Sequence, residues 1–247
     1  MNIKEFKEEV YSHYFDEEQQ VTVDRDPGFR STNNGILHLG LFYVILGVNG
    51  AIDELDRKIF NESIDRCWVV SRGDGTLAPV KIYGLLNRHK DHEIKQGQDD
   101  YIGACGASWF FKDLVASQIT DYGEANYFSY DNQNPWRFSF STNHWRFFGL
   151  PGFYRLCAHR SPGWLQTLFI SRDLRCGPGD RADTSFMEWI KVQVIKRESG
   201  RFGKEVEIWE NKFKEKWGTL GRCLAEYFGE THPFSQIHNI SGEIQKS

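Results

Sequence analysis

The sequence predicts an all-α fold, and three observations carry that expectation. Apolar residues recur at helical spacing near both ends: Ile3, Phe6, Val10, Tyr11 and Tyr14 share one face, and Val206, Trp209, Phe213, Trp217, Leu220, Leu224 and Tyr227 step by three or four. Capping side chains at Ser31 to Asn34 are followed by a run, Ile36 to Leu46, that is apolar nearly all round and belongs in the middle of a domain. Asp99 to Phe111 reads as a helix built on Gly103, Ala104, Gly106 and Ala107, whose small side chains permit close helix approach at a cost in helix propensity.

Taken in order, a first helix over residues 3–14 leads into a polar loop through Asp26-Pro27-Gly28. The apolar helix ends at Asn49-Gly50, and a second runs from about Ala51 to Trp68 with Ile52, Leu55, Ile59 and Phe60 inward. The short connection predicts that these two form an antiparallel hairpin. Ser71 to Gly75 is turn chemistry, and Val80 to Leu86 fits strand or helix, with helix preferred.

Leu114, Val115, Ile119 and Tyr122 continue as another helix, stopped by Gly123. The stretch 126–147 is rich in aromatics around Asp131-Asn-Gln-Asn-Pro135, and reads as a small β-hairpin or an ordered loop. Pro151 and Ser161-Pro162 mark helix starts, with Trp164, Leu165, Leu168 and Phe169 inward. Cys176 to Asp180 is a loop, Asp183 or Thr184 caps a helix to about Ile195, and the last helix runs to Tyr227 with Gly229 closing it. Nothing resembles an interdomain linker. One domain is expected over 1–247: an N-terminal helix and loop to residue 30, a core over 31–232 and a tail over 233–247.

Composition narrows the function classes. Hydrophobic residues make up 40% and charged residues 26%, ordinary for a globular chain, while aromatics reach 15%, enough to serve carbohydrate platforms or interfaces as well as a core. The net charge of −4 gives no basic field for nucleic acid, so a nucleic-acid partner is not expected. No apolar run reaches the roughly 18 residues that a membrane span needs, and Met1 to Phe6 has no apolar signal core. Five widely spaced cysteines without a CxxC pair predict reduced thiols, with neither a disulfide framework nor a zinc site.

Chemistry-bearing residues concentrate in two places. Asp99 and Asp100 open the small-residue helix, where a carboxylate serves as a cap or as a general acid or base facing a cleft. Adjacent helical residues point about 100° apart, so at most one of the two faces a cleft. A glycosidase needs a second carboxylate about 5 to 10 Å away, and the loops offer Asp74, Asp91, Asp131 and Asp173. The second place is Asn134 to Phe148, where Trp136 and Trp145 alternate with Arg137, Asn143, His144 and Arg146. Such a surface stacks on sugar rings and binds hydroxyls; the alternative is a core cluster under a long loop. His89, Asp91 and His92 lack metal-ligand spacing, so no metal or cofactor is expected, and His38 on the apolar helix reads as a hydrogen-bonded core residue.

Two resemblances follow from these residues. Asn33 to Gly40, then a helical hairpin, then Gln98 to Gly103, resembles the (α/α) toroids of glycoside hydrolases and polysaccharide lyases. That resemblance implies a glycan or cell-wall polysaccharide as partner, with Asn34, Asp99, Asp100 and Tyr101 as cleft residues. The Asp99-Asp-Tyr-x-Gly segment, the central Trp-Arg stretch and Tyr227-Phe-Gly-Glu-Thr-His-Pro233 are also similar to uncharacterised proteins of tailed bacteriophages. This second resemblance implies a place in the host cytoplasm or the virion. It leaves two functions open: a glycan hydrolase or lyase, and a non-catalytic protein that contacts other virion proteins, the host or itself.

Overall fold

A computed structural model of the chain describes residues 1–18, 21–22, 35–69, 85–86, 98–111, 171–172, 174–198, 202–229 and 232–239. These residues are mainly α-helical: α1 (Ile3–Glu9), α2 (Gly35–Val48), α3 (Glu54–Cys67), α4 (Gln98–Phe111), α5 (Ala182–Glu198), α6 (Gly203–Trp217) and α7 (Leu220–Phe228). A π-helical turn, Val10–Tyr14, continues α1, and a 3-10 helix, Pro233–Asn239, follows α7. The strands are short antiparallel pairs: β1 (Phe15–Asp16) with β2 (Val21–Thr22), and β3 (Trp68–Val69) with β4 (Leu85–Leu86).

Local chemistry explains where the helices begin and end. Asn2 caps α1 by accepting from the Lys4 and Glu5 amides at 3.0 and 2.9 Å, and Glu5 returns the bond to the Asn2 amide at 2.9 Å, a complete capping box. The stepped apolar pattern from Val206 to Tyr227 spans two helices, not one. Gly218, at φ 74°, ends α6 with its amide on the Lys214 carbonyl, and Thr219 caps α7 through the Arg222 amide at 3.2 Å. Gly229 ends α7, as its position in the sequence predicts.

Several boundaries differ from expectation. Trp68 is in a strand rather than a helix, and Leu85–Leu86 pairs with it, so at least the end of 80–86 is strand. Leu55 points outward with 58% of its surface exposed, while Asp56 next to it is fully buried, because α3 turns its capping carboxylates toward α1. The expected tail is structured at its start: Phe234 and Ile237 of the 3-10 helix are buried. The apolar helix is as predicted, with every residue from Gly35 to Gly47 buried.

The α2–α4 packing sets the architecture. A Cβ on Gly40 would lie 2.2 Å from the Gly103 carbonyl carbon, and one on Gly103 only 2.6 Å from Ile36 O and Leu37 Cα. The helices therefore touch backbone to backbone, which only glycine permits. Farther along, Gly106 faces Val44 and Gly47 faces the Phe110 ring. Residue numbers rise together along both helices, so α2 and α4 run in the same direction.

The same reasoning orients the rest. Gly106 meets Ile190, and the Arg197 guanidinium lies over the Phe110 ring at 4.7 Å, so α5 is co-directional with α4. Cys223 Sγ approaches Ala182 O at 3.5 Å and Tyr227 meets Phe186 at 4.8 Å, so α7 is co-directional with α5. Phe228 of α7 then meets His38 of α2 at 4.7 Å. Contacts thus pass from α2 to α4, α5 and α7 and return to α2. Counter-running helices flank this set. Lys196 pairs with Glu210 at 2.8 Å while Lys216 reaches Asp180 at 2.6 Å, which makes α5 and α6 an antiparallel hairpin.

Candidate functional site

Because α2, α4 and α5 are co-directional, their first turns lie at one end of the molecule. Asp99 opens α4 and Asp183 opens α5. Each lies seven residues before the contact of its helix with the other, Gly106 against Ile190 (106 − 99 = 7; 190 − 183 = 7). Seven residues advance an α-helix by about 10.5 Å and leave it only about 20° short of two full turns. Backbone positions 99 and 183 are therefore level, on the faces by which α4 and α5 meet. By the same count, position 100 lies about 60° round α4 from Gly103, and position 101 lies on the opposite side of α4. By register alone, position 99 lies on the side of α4 that meets α5 and position 101 on the far side, while the side chains of Asp99, Asp100 and Tyr101 lie outside what the structure describes.

Asp183 is fixed by its neighbours. Its Oδ1 accepts from the Thr184 amide at 2.7 Å and from Thr184 Oγ1 at 3.2 Å, and its Oδ2 pairs with Arg181 Nη2 at 2.5 Å. In the sequence it read only as a cap. The signal that would have marked it, an Asp at the same offset from a tight helix contact as Asp99, exists only once the partner helix is known. Asn34, Trp136, Arg137, Asn143, His144, Trp145 and Arg146, together with the loop carboxylates Asp74, Asp91, Asp131 and Asp173 and the metal-ligand candidates His89, Asp91 and His92, lie outside the described residues.

Among the described residues there are two further polar clusters, and the larger is at the opposite end. Asp53 and Asp56 cap α3 reciprocally, Asp56 N donating to Asp53 Oδ1 at 3.0 Å and Asp53 N to Asp56 Oδ2 at 2.8 Å. Lys7 reaches both carboxylates at 2.6 Å, Tyr11 donates to Asp56 Oδ1 at 2.6 Å, and the Tyr11 and Tyr43 hydroxyls are 3.1 Å apart. Burial works against the Lys7 ammonium, but its bonds to Asp53 and Asp56 outweigh that and raise its pKa above the ordinary lysine value. The Lys7 bond holds Asp53 below the usual carboxylate range, and burial pushes both tyrosines up. Every polar group is matched, so this cluster locks α1 to α3 and leaves no group free to react.

The other cluster surrounds His38, which is buried as expected, but whose Nε2 has no hydrogen-bond partner. Burial, helped by nearby His232, lowers its pKa to about 3. Among the described cysteines, Cys176 is exposed and Cys223 is buried, with its pKa pushed up to about 12 by burial and the Asp183 and Glu226 carboxylates. A maleimide should therefore label Cys176 on the order of a hundredfold faster than Cys223 in the native protein, read by peptide mapping. Equal rates would contradict the packing of α7 on α5.

Among the described residues no group of three or more His, Cys, Asp or Glu is placed to hold a metal, and no helix is long and apolar enough to cross a membrane. No protein-family model, curated protein or solved structure matches the chain.

Proposed function

We propose that the chain is a carbohydrate-active protein, a glycan hydrolase or lyase, whose carboxylate pair is Asp99 and Asp183. In this reading the co-directional helices form the inner layer of a compact (α/α) toroid-like arrangement, and a glycan binds across their N-terminal end. The observation that supports it is the level placement of positions 99 and 183 on adjoining helix faces. Helix N-termini carry partial positive charge, which favours the member of the pair that stays ionised and charge that develops on a substrate oxygen.

The chemistry follows from two carboxyl groups about 5 to 10 Å apart. In its protonated form one carboxyl donates to the glycosidic oxygen as the bond breaks. The other carboxylate attacks the anomeric carbon at the shorter separations, or deprotonates an attacking water at the longer ones. Asp183, held by Arg181 and Thr184, suits the fixed carboxylate, and Asp99 the proton donor. Trp136 and Trp145 would supply stacking surfaces for sugar rings, and Asn34, Arg137, Asn143, His144 and Arg146 hydrogen bonds to hydroxyls.

The experiment is a screen of bacterial cell-wall and capsule polysaccharides for new reducing ends or unsaturated products, repeated with Asp99→Asn and Asp183→Asn. Each variant should lose at least about a hundredfold in rate with its melting transition retained. A glycan bound but left uncut by the unmodified chain would make this a binding protein instead. Cleavage that survives in both variants would remove the pair from the mechanism.

A further inference from the structure

Trp217 occupies a position that packing alone does not explain. It continues the inward stripe of α6, in which Trp209 and Phe213 are buried and stacked at 5.1 Å, but is itself only partly buried. Its Nε1 is shut off from solvent and has no hydrogen-bond partner. A buried indole N–H without an acceptor costs free energy that a phenyl ring in the same place does not. Among the described residues no other aromatic ring stacks on Trp217, while the Lys216 ammonium stands 5.9 Å from its ring centre.

Its place in the fold supplies a reason. α6 runs against α5, so its last turn stands at the end of the molecule where α4 and α5 begin. Lys216 fixes that end: its Nζ donates to Gly179 O at 2.8 Å and pairs with Asp180 Oδ1 at 2.6 Å, just ahead of Asp183 in the chain. Gly179 O also accepts from Ser185 Oγ at 2.8 Å, and Gly179 N donates to Glu188 Oε2 at 2.9 Å, so α5 and α6 hold this loop together. Leu220, the first residue of α7, is likewise only partly buried. A half-covered indole, a tethered ammonium and the Asp183 carboxylate thus share one end of the α5–α6 hairpin.

We propose that Trp217 is a sugar-stacking residue: the apolar C–H face of a pyranose ring lies on the indole, and Lys216 donates to one of its hydroxyls. This rests on the carboxylate-pair reading and extends it, since the bound glycan then continues from Asp183 toward the corner between α6 and α7. An aromatic ring at a wet mouth takes up the C–H face of a sugar and leaves the hydroxyls to polar partners. An ammonium has three N–H donors, and Lys216 uses two of them on Gly179 O and Asp180.

The test is affinity electrophoresis of the full chain through gels that contain solubilised bacterial cell-wall or capsule polysaccharide, in the Asp183→Asn background so that the glycan is not cut. Trp217→Ala should weaken the apparent affinity by about tenfold or more, and Trp217→Phe, which keeps a ring, should stay within about threefold. Trp217→Phe should melt no lower than its parent, because it removes the unpartnered N–H. Should Trp217→Ala fail to fold, oxidation by N-bromosuccinimide, mapped by peptide, decides in the Asp183→Asn chain. Polysaccharide at about ten times its Kd should slow oxidation of Trp217 about tenfold. Affinity unchanged in Trp217→Ala, or oxidation that bound polysaccharide does not slow, would overturn this role and leave the Asp99 and Asp183 pair standing. A chain that no polysaccharide retards would overturn the carboxylate-pair reading and this role together.

Discussion

Gly40→Ala is expected to destabilise the protein by about 3 kcal/mol or more, enough to unfold a marginal domain, although it adds one methyl group. That methyl would sit 2.2 Å from the Gly103 carbonyl carbon and 2.3 Å from its Cα and oxygen. Backbone atoms cannot swing aside as a side-chain end can, so the whole α2–α4 contact must widen. Gly103→Ala should behave alike, since its methyl would meet Ile36 O and Leu37 Cα. Gly203→Ala is the control: nothing lies within 4 Å of its Cβ, so the change should be neutral or stabilise by up to about 1 kcal/mol. Urea midpoints at constant slope measure all three. A Gly40→Ala variant within about 0.5 kcal/mol of the parent would show that the helices do not cross at these glycines.

Asp56→Ala is the second large effect, expected at about 3 to 5 kcal/mol. Asp56 is fully buried and holds Lys7 through one oxygen and Tyr11 through the other. Removing it leaves a largely buried ammonium and a buried hydroxyl short of partners, and removes the reciprocal cap of α3. Asp53→Asn should cost less, about 1 kcal/mol or below, because the Asp53 side chain is 57% exposed and water compensates it.

The pH dependence of this network has a defined window. Asp53 has a folded pKa below its unfolded value, so its contribution is present above about pH 4 and lost as pH falls through the folded value. Lys7 has a folded pKa above its unfolded value, so its contribution is full below about pH 10.5 and lost as pH rises through the folded value. Stability attributable to the network should therefore plateau between these limits. In Asp56→Ala the alkaline loss should shrink.

Local patterns were legible in the sequence wherever one helix decides its own structure. Burial all round α2 follows from an unbroken apolar run, and the close approach of α4 from its small residues. Gly229 ends α7 because nothing larger suits that turn. Leu55 and Asp56 show where such reading stops. A period alone assigns Leu55 to the core, but Lys7 and Tyr11, some 50 positions away, draw Asp56 inward instead. The break at Gly218 was hidden because Leu220 and Leu224 stay in phase with Trp217 across it. His38 looked like a satisfied polar residue, since its aromatic neighbours Phe228 and Phe234 are distant in sequence.

The candidate site divides in the same way. Asp99 was visible as a carboxylate at a helix start, and its separation in angle from Asp100 follows from helix geometry alone. Asp183 was visible only as a cap, because the role proposed for it depends on which helix α4 packs against and in which direction. Loop carboxylates were the natural search space for a partner, whereas co-directional packing offers one on a neighbouring helix start.

The distance between the carboxyl carbons of Asp99 and Asp183 in a crystal structure tests this account most directly. Level, co-directional first turns predict about 10 Å or less, within reach of one glycosidic bond. A separation of about 20 Å or more, the length of a 14-residue helix, would mean that α4 and α5 run in opposite directions and that no shared mouth exists.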